Sequence, residues 1–327
     1  MVTTIGDIAK LAGVAKSTVS RYLNDGSVSE ATKRKIQHII RETGYTPNAF
    51  AQSLKAKKTN IIGTIVPRLD SYAFSRTLIG IDEELKTRNY QMLISHSNLD
   101  LEQEMENIHS LVRQKVAGII LLATEITERH LEIIKQIGIP VLLVGQQHEE
   151  IPSLIHNDYE AAYEVGKYVI SKGHQRIAYI GVNEKNVAVG IDRKEGFKKS
   201  IESAGDIDVQ FYETNRKNEK LFSIVSEIID TFNPSIMVCA TDNIAIGVMK
   251  AIYSRGISIP NDLSITGFGG YEMAEMIHPG LTTAKFYYKN AGNLAARKIL
   301  SLIRGEDTPM KTVSGFEIIY RESVRKV

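Results

Sequence analysis

The sequence of 327 residues has one cysteine, no tryptophan and no apolar run near the roughly 18 residues that a membrane-spanning helix needs. The lone Cys239 excludes an internal disulfide and suits a reducing compartment. No signal peptide is evident, so we expect a cytoplasmic protein without membrane association. The sequence also has no Walker motif, no Gly-x-Ser-x-Gly elbow and no metal-ligand spacing among its eight histidines. It therefore predicts no catalytic residue, no metal and no cofactor.

The charge is distributed unevenly, although the whole chain carries a net charge of only +2. Residues 1–59 contain ten Lys and Arg against four Asp and Glu, whereas the remainder contains 30 against 34. A basic head on a mildly acidic body is typical of a module that binds a polyanion and is attached to a sensor. A basic head also suits RNA or a membrane surface, but no aromatic stacking platform interleaves the charges, which argues against RNA.

Residues 5–48 have the pattern of three short helices with a tight turn between the first two. Thr4 and Asp7 predict a capping box at the start of the first helix, and Gly13 predicts its end. The third helix is expected to begin after Ser29. The predicted apolar face of the first helix consists of Ile8, Leu11 and Ala12.

The second helix, KSTVSRYLN, turns Val19 and Leu23 inward and leaves a polar, basic outer face. Such a helix fits the major groove and can read base edges, and Arg21 is suited to guanine. We therefore predict binding to double-stranded operator DNA, the alternative being a small bundle that contacts protein. The predicted contacts in this head are Thr4, Lys16, Ser17, Thr18, Ser20, Arg21 and Asn24.

The stretch TIGDIAKLAGVAKSTVSRYLN, followed by VSEATKRKI, GYTPN and AQSLK, resembles the lactose-repressor (LacI/GalR) family. Ala15 departs from the family, which usually has serine there, and so removes an N-cap worth about 1 kcal/mol. The resemblance implies a short helix at 48–59 that orders on DNA, with a leucine inserted in the minor groove. A basic linker whose leucine packs on the body is the alternative. The residues implied for DNA contact here are Asn48, Ala51, Leu54 and Lys55.

After Asn60 the pattern changes to short apolar runs that alternate with amphipathic stretches. Such alternation predicts an α/β fold with parallel sheets, whose ligands bind at the carboxyl ends of the strands. The runs are IIGTIV, YQMLIS, AGIILLA, PVLLVG, RIAYIGV, SIMVCA and LSITGFG. The segment GFGGYE has Glu272 where a dinucleotide-binding fingerprint needs its third glycine, and this favours a simple turn.

Family-like segments such as GHQRIAYIG, DRKEGF, CATDNIAIG and PGLTT extend the resemblance over the whole chain. It implies a homodimer whose core resembles periplasmic binding proteins, with the chain crossing three times between two α/β subdomains. The implied organisation is a helix-turn-helix domain at 1–47, a hinge at 48–59 and a core at 60–327, with subdomain one at 60–157 and 290–319 and subdomain two at 158–289 and 320–327.

The resemblance also implies an effector site in the cleft between the subdomains. Arg193 matches the family arginine in the pattern R-x-x-G-F, and Thr241 falls on a ligand-contact position. Gly269 stands where many sugar-responsive members have an aspartate, which argues against a simple galactoside or ribose. The predicted effector residues are Arg68, Ser71, Phe74, Gln146, Arg193, Thr241, Gly269 and Tyr288.

The segments VPRLDSYAFSRTL, GFGGYEM and FEIIYRESV look most like sucrose-operon repressors of Gram-positive bacteria, which are related to trehalose-operon repressors. This implies a repressor released by sucrose 6-phosphate or sucrose. Arg68 could then clamp a phosphate, or it could form a surface salt bridge with Asp70. A corepressor-type regulator of purine or global carbon metabolism, and an enzyme with a DNA-binding head, are the competing interpretations.

Overall fold

The computed structural model describes residues 3–23, 26–45, 59–202, 204–214 and 218–327. The chain divides into two compact units, Met1–Asn60 and Ile61–Val327. Among the described residues, no helix has the length and apolar character needed to cross a membrane.

The described residues of the first unit form three helices, α1 (Ile5–Ala12), α2 (Lys16–Leu23) and α3 (Glu30–Thr43). The capping box of Thr4 and Asp7 is confirmed, and Gly13 ends α1 with a φ of 62°. Ser29 caps α3 by accepting a hydrogen bond from the Thr32 amide. These local expectations hold because caps depend on near neighbours in the sequence.

The apolar face predicted for α1 was wrong at one position. Ile8, Ala9 and Ala12 pack in the core of the head with Val19 and Ile36. Leu11 is instead 59% exposed. Ile8 and Ala12 lie one turn apart, and Ala9 completes their stripe, so Leu11 falls on the flank of the helix.

The second unit is built on two sheets of six strands, which confirms the predicted α/β class. The first sheet has the order β11-β5-β4-β3-β1-β2, and the second has the order β12-β10-β9-β8-β6-β7. Within the described residues, all strand pairs in these sheets are parallel except β10 with β12. The strands of the first sheet are β1 (Ile61–Val66), β2 (Gln91–His96), β3 (Gly118–Leu121), β4 (Val141–Val144), β5 (Ser153–His156) and β11 (Lys311–Ser314). Those of the second are β6 (Arg176–Gly181), β7 (Asp208–Glu213), β8 (Ile236–Cys239), β9 (Ser264–Gly269), β10 (Thr282–Phe286) and β12 (Phe316–Ile319).

Helices cover both sheets and enclose separate apolar cores. A π-helical turn, Val187–Asp192, leads directly into the helix that begins at Arg193. The helices are α4 (Tyr72–Thr87), α5 (Leu101–Arg113), α6 (Glu128–Ile137), α7 (Asp158–Ser171), α8 (Arg193–Ile201), α9 (Asn218–Thr231), α10 (Asp242–Ser254), α11 (Glu272–Met276) and α12 (Tyr288–Arg304).

The chain crosses between the sheet layers three times, each time through one residue. Asn157 joins β5 to α7, Tyr287 joins β10 to α12, and Gly315 joins β11 to β12. The third crossing differs from the expected organisation, which kept residues 290–319 in the first subdomain. Phe316–Ile319 instead pairs with β10 of the second sheet.

Helices α4 and α12 approach each other closely because each contributes a glycine at the contact. A Cβ on Gly80 would lie 2.0 Å from the Lys289 carbonyl oxygen, and one on Gly292 would lie 2.1 Å from that of Thr77. The contact therefore excludes any side chain at these positions. It also fixes Tyr72 and Tyr288, the first residues of the two helices, relative to each other.

Candidate functional site: a DNA-binding head and an interdomain cavity

The outer face of α2 presents the side chains that the sequence predicted for DNA contact. Lys16, Ser17 and Arg21 are exposed, while Thr18 and Ser20 are half-buried. The Val19 side chain on the opposite face is fully buried. The helix is therefore anchored by its apolar face and leaves its cations accessible, as a major-groove helix requires.

The remaining predicted DNA contacts have different outcomes. The Thr4 hydroxyl is occupied by the capping box, because it donates to Asp7 Oδ2 at 2.7 Å. Predictions for the following residues lie outside the described part of the chain: Asn24, Asn48, Ala51, Leu54 and Lys55.

Between the two subdomains lies a cavity of about 550 Å³. It opens at the carboxyl ends of both sheets, where the doubly wound fold places its ligands. Seven of the eight residues predicted for the effector line it together: Arg68, Ser71, Phe74, Gln146, Arg193, Thr241 and Tyr288.

Gly269, the eighth, is not among the lining residues that the structure describes. Its φ is 141°, and a Cβ built on it would lie 2.3 Å from the ring of Tyr271. The glycine therefore makes room for the Tyr271 ring, which does line the cavity. An aspartate side chain at this position would collide with that ring.

Arg193 is buried at the base of the cavity and is held on three sides. Its Nε donates to Asp158 Oδ1 at 2.7 Å, and its Nη1 donates to the Ala240 carbonyl oxygen at 2.6 Å. The guanidinium also lies 4.8 Å from the centre of the Phe286 ring. Burial lowers the pKa of Arg193, but the interactions around it, with the Asp158 carboxylate foremost, together raise the pKa. The arginine is therefore a fixed cation rather than a mobile one.

His156, which the sequence analysis missed, lies beside this ion pair. Its ring is 5.0 Å from that of Tyr288, edge to face, and it lines the cavity. Burial lowers the pKa of His156, so the neutral imidazole is favoured. Its buried Nδ1 has no partner within the described structure.

Asp242 ties the loop that carries Tyr271 to the sheet. One carboxylate oxygen accepts from the Thr283 hydroxyl at 2.6 Å, and the other accepts from the Tyr271 amide at 2.8 Å. Burial raises the pKa of Asp242 to about 6, against the lowering effect of these hydrogen bonds. The adjacent Thr241 hydroxyl caps α10 by accepting from the Ile244 amide.

Arg68 lies on the first-subdomain side and is only partly buried. It forms a two-pronged pair with Asp70, with Nε–Oδ1 at 2.8 Å and Nη2–Oδ2 at 2.7 Å. This hydrogen bonding raises the pKa of Arg68. The salt bridge between Arg68 and Asp70, one of the two alternatives that the sequence offered, is therefore present. The Nη1 group of Arg68 takes no part in it.

Several lining residues carried no recognisable signal in the sequence. Lys185 enters the cavity from the loop after β6, between Asn183 and Asn186. No carboxylate lies within ion-pairing distance of Lys185 in the part of the chain that the structure describes. Leu99 lines the cavity from the loop after β2, and Leu101 lines it as the first residue of α5. The lining thus combines cations, amides, aromatic rings and aliphatic groups, which suits a polar ligand with apolar faces.

Comparison with known proteins agrees with this architecture. Residues 4–48 match the model of the lacI family of bacterial regulatory proteins, and residues 167–324 match a periplasmic binding protein-like domain. The sucrose operon repressor of Staphylococcus xylosus is 40% identical over 301 residues, 92% of this chain and 93% of that protein. Catabolite control protein A of Priestia megaterium is 27% identical over 99% of this chain and 100% of its own length.

A crystal structure of the lac repressor dimer bound to operator and the anti-inducer ONPF superposes with a TM-score of 0.91 at 23% identity. The match covers 99% of this chain and 100% of that one, and it supports the fold. The relatives are transcriptional regulators and not enzymes, so the interpretation as an enzyme with a DNA-binding head is wrong. The chain belongs to the lacI family of bacterial regulatory proteins.

Proposed function

We propose that this protein is a homodimeric repressor of a sugar-utilisation operon, which acts in the cytoplasm and releases its operator when a sugar or sugar phosphate binds the cavity. The observation that carries the proposal is the cavity itself, because side chains from both subdomains converge in it. A ligand that contacts both sides favours one relative arrangement of the subdomains over another. The relative named as a sucrose operon repressor supports a sugar as the effector.

We propose further that the effector is sucrose 6-phosphate, or sucrose. Arg68 and Lys185 bring two cations to the same cavity, one from each subdomain. A phosphate is bound by charge-assisted hydrogen bonds, and the Nη1 group of Arg68 and the Lys185 ammonium can both supply them. Phe74 and Tyr288 provide rings for the apolar face of a sugar.

Operator binding tests the first part of the proposal. The full chain should bind a roughly palindromic operator fragment in a gel-shift assay, with one head on each half-site. Arg21→Ala should cost about 1–3 kcal/mol and relax the preference at one base pair in each half-site. Arg34→Ala, which removes an exposed arginine from α3, is the matched control and should leave base preference unchanged. If Arg21→Ala also left it unchanged, α2 would not be the recognition helix.

Addition of ligand tests the second part. Sucrose 6-phosphate or sucrose should release the operator in the same assay. The rival function is that of a corepressor-type regulator, which the similarity to catabolite control protein A keeps open. In that case the cavity ligand would tighten operator binding, so the sign of the effect separates the two.

A further inference from the structure

An unusual backbone conformation holds a leucine at the edge of the cavity. Asn98 and Leu99 follow β2 with φ values of 55° and 63°. Asparagine tolerates this left-handed region, but leucine adopts it only at a cost. Despite this, 57% of the Leu99 surface stays exposed, so the conformation is not explained by burial in a core.

The residues on either side of this pair are fixed by hydrogen bonds. The Ser97 amide donates to the Val66 carbonyl oxygen at 3.0 Å, and the Ser97 hydroxyl donates to Glu104 Oε2 at 3.2 Å. On the other side, Asp100 caps α5 by accepting from the Gln103 amide at 3.1 Å. The loop therefore cannot relax at its ends, and the strain remains at the two residues between them.

The buried His130 stabilises the position of Glu104, which accepts the hydrogen bond from Ser97. The Thr127 amide donates to His130 Nδ1 at 3.1 Å, so this nitrogen carries no proton. His130 Nε2 must then carry the proton, and it donates to Glu104 Oε1 at 2.8 Å. Both side chains are almost completely buried. The Glu104 carboxylate is thus held on one side by His130 and on the other by Ser97.

These hydrogen bonds hold Leu99 and Leu101 in place. The two leucines form an apolar rim, which lines the cavity on the first-subdomain side. Leu101 is 37% exposed. Exposed leucines at a cavity edge that is stabilised by a buried polar network suit a function in ligand contact better than one in folding.

We propose that the apolar rim binds the C–H face of the second ring of a disaccharide, and so makes the protein selective for two-ring over one-ring ligands. The inference rests on the proposed function, since it takes a phosphorylated sugar as the ligand. Arg68 and Lys185 hold the phosphorylated ring. The second ring, which carries no charged group, then contacts the aliphatic side chains of Leu99 and Leu101. A monosaccharide phosphate occupies the charged part of the cavity and leaves the rim empty.

The substitution Leu99→Gly separates a binding role from a structural one. Glycine adopts a positive φ freely, so the midpoint of thermal unfolding should stay unchanged or rise by about 1–2 °C. Affinity for sucrose 6-phosphate should nevertheless fall about three- to tenfold, because part of the apolar contact is lost. Affinity for glucose 6-phosphate should change less than twofold.

Lys115→Gly is the matched control, because Lys115 also has a positive φ, of 59°, and does not line the cavity. It should show the same thermal effect and unchanged affinity for both sugars, measured by calorimetry on the full chain. Equal losses of both sugars in Leu99→Gly, or no loss of either, would overturn the assignment of the rim. If the unaltered protein bound neither sugar, the proposed effector itself would fail, and the rim proposal would fall with it.

Discussion

The two sides of the cavity each contribute an arginine, and the two arginines are held in different ways. On the second-subdomain side, Arg193 is buried between Asp158, a backbone carbonyl and aromatic rings. On the first-subdomain side, Arg68 is about one quarter exposed and is paired with Asp70, which is itself largely exposed.

The difference shows that position in a cavity does not determine the role of a charged side chain. A buried ion pair is costly to break, because the remaining partner keeps its charge without compensation. A partly exposed pair can exchange its partner for a ligand or for water at little cost. Arg193 therefore fixes the geometry of the site, while Arg68 can exchange its partner Asp70 for an entering ligand.

The largest effect is expected from breaking the buried pair. Asp158→Ala leaves the Arg193 guanidinium buried without its carboxylate, and should lower the free energy of unfolding by about 3–5 kcal/mol. Denaturant unfolding of the core, followed by circular dichroism, measures this loss.

Asp70→Ala is the control on the other side of the cavity. It removes the partner of an arginine that stays partly solvated, and should cost less than about 1 kcal/mol. Similar losses for the two substitutions would remove the distinction between the sides.

A smaller effect is expected from Arg68→Ala, and only on binding. Loss of a charged hydrogen bond to phosphate should weaken sucrose 6-phosphate by about 1.5–3 kcal/mol and leave sucrose nearly unaffected. Arg113→Ala, which removes an exposed arginine from α5, should change neither affinity. Calorimetry that showed equal losses of both sugars for Arg68→Ala would mean that Arg68 contacts the sugar body and not the phosphate.

The smallest effect is expected in the pH dependence of stability, to which the buried Asp242 carboxyl group contributes. Since burial raises the pKa of Asp242 to about 6, from 3.8, the folded protein holds this proton more tightly than the unfolded chain. The resulting stabilisation is fully present below about pH 4 and is lost as the pH rises through 6. Relative to the unaltered protein, Asp242→Asn should therefore gain about 2 kcal/mol of stability between pH 4 and pH 7.

Unfolding curves across this pH range, recorded for both proteins, give the difference directly. The control is Asp230→Asn, since the Asp230 carboxylate is largely exposed and its hydrogen bond to Arg255 lowers its pKa. A stability difference for Asp242→Asn that did not change with pH would show that this carboxyl group is ionised throughout.

Local features of the fold could be predicted from the sequence because they depend on near neighbours. The helix caps at Thr4 and Ser29, and strands such as Ile61–Val66 that are buried on both faces, belong to this group. Strand β7 was missed because it lies at a sheet edge and has exposed positions. Much of the packed face of α12 consists of small residues, among them Ala291 and Gly292, which give a weak apolar signal.

The candidate site was predictable only in part. Family motifs indicated Arg193 and Thr241, but nothing in the sequence pairs Arg193 with a carboxylate 35 positions earlier. The rim leucines were missed for a similar reason, since only tertiary contacts show that the loop after β2 reaches the cavity. Contacts between distant segments depend on sheet order and on register, which a single sequence does not contain.

The three crossings between the subdomains also define how the cavity can move. His156 is the register partner of Ser314, and Phe286 is that of Phe316, so Asn157, Gly315 and Tyr287 follow one another in a row. With strands about 5 Å apart, the row is only about 10 Å long. A rotation of one subdomain against the other about this row would displace each side chain in proportion to its distance from the row. Such a rotation would change the surroundings of His156 and Tyr288, which lie beside the row, less than those of side chains far from it.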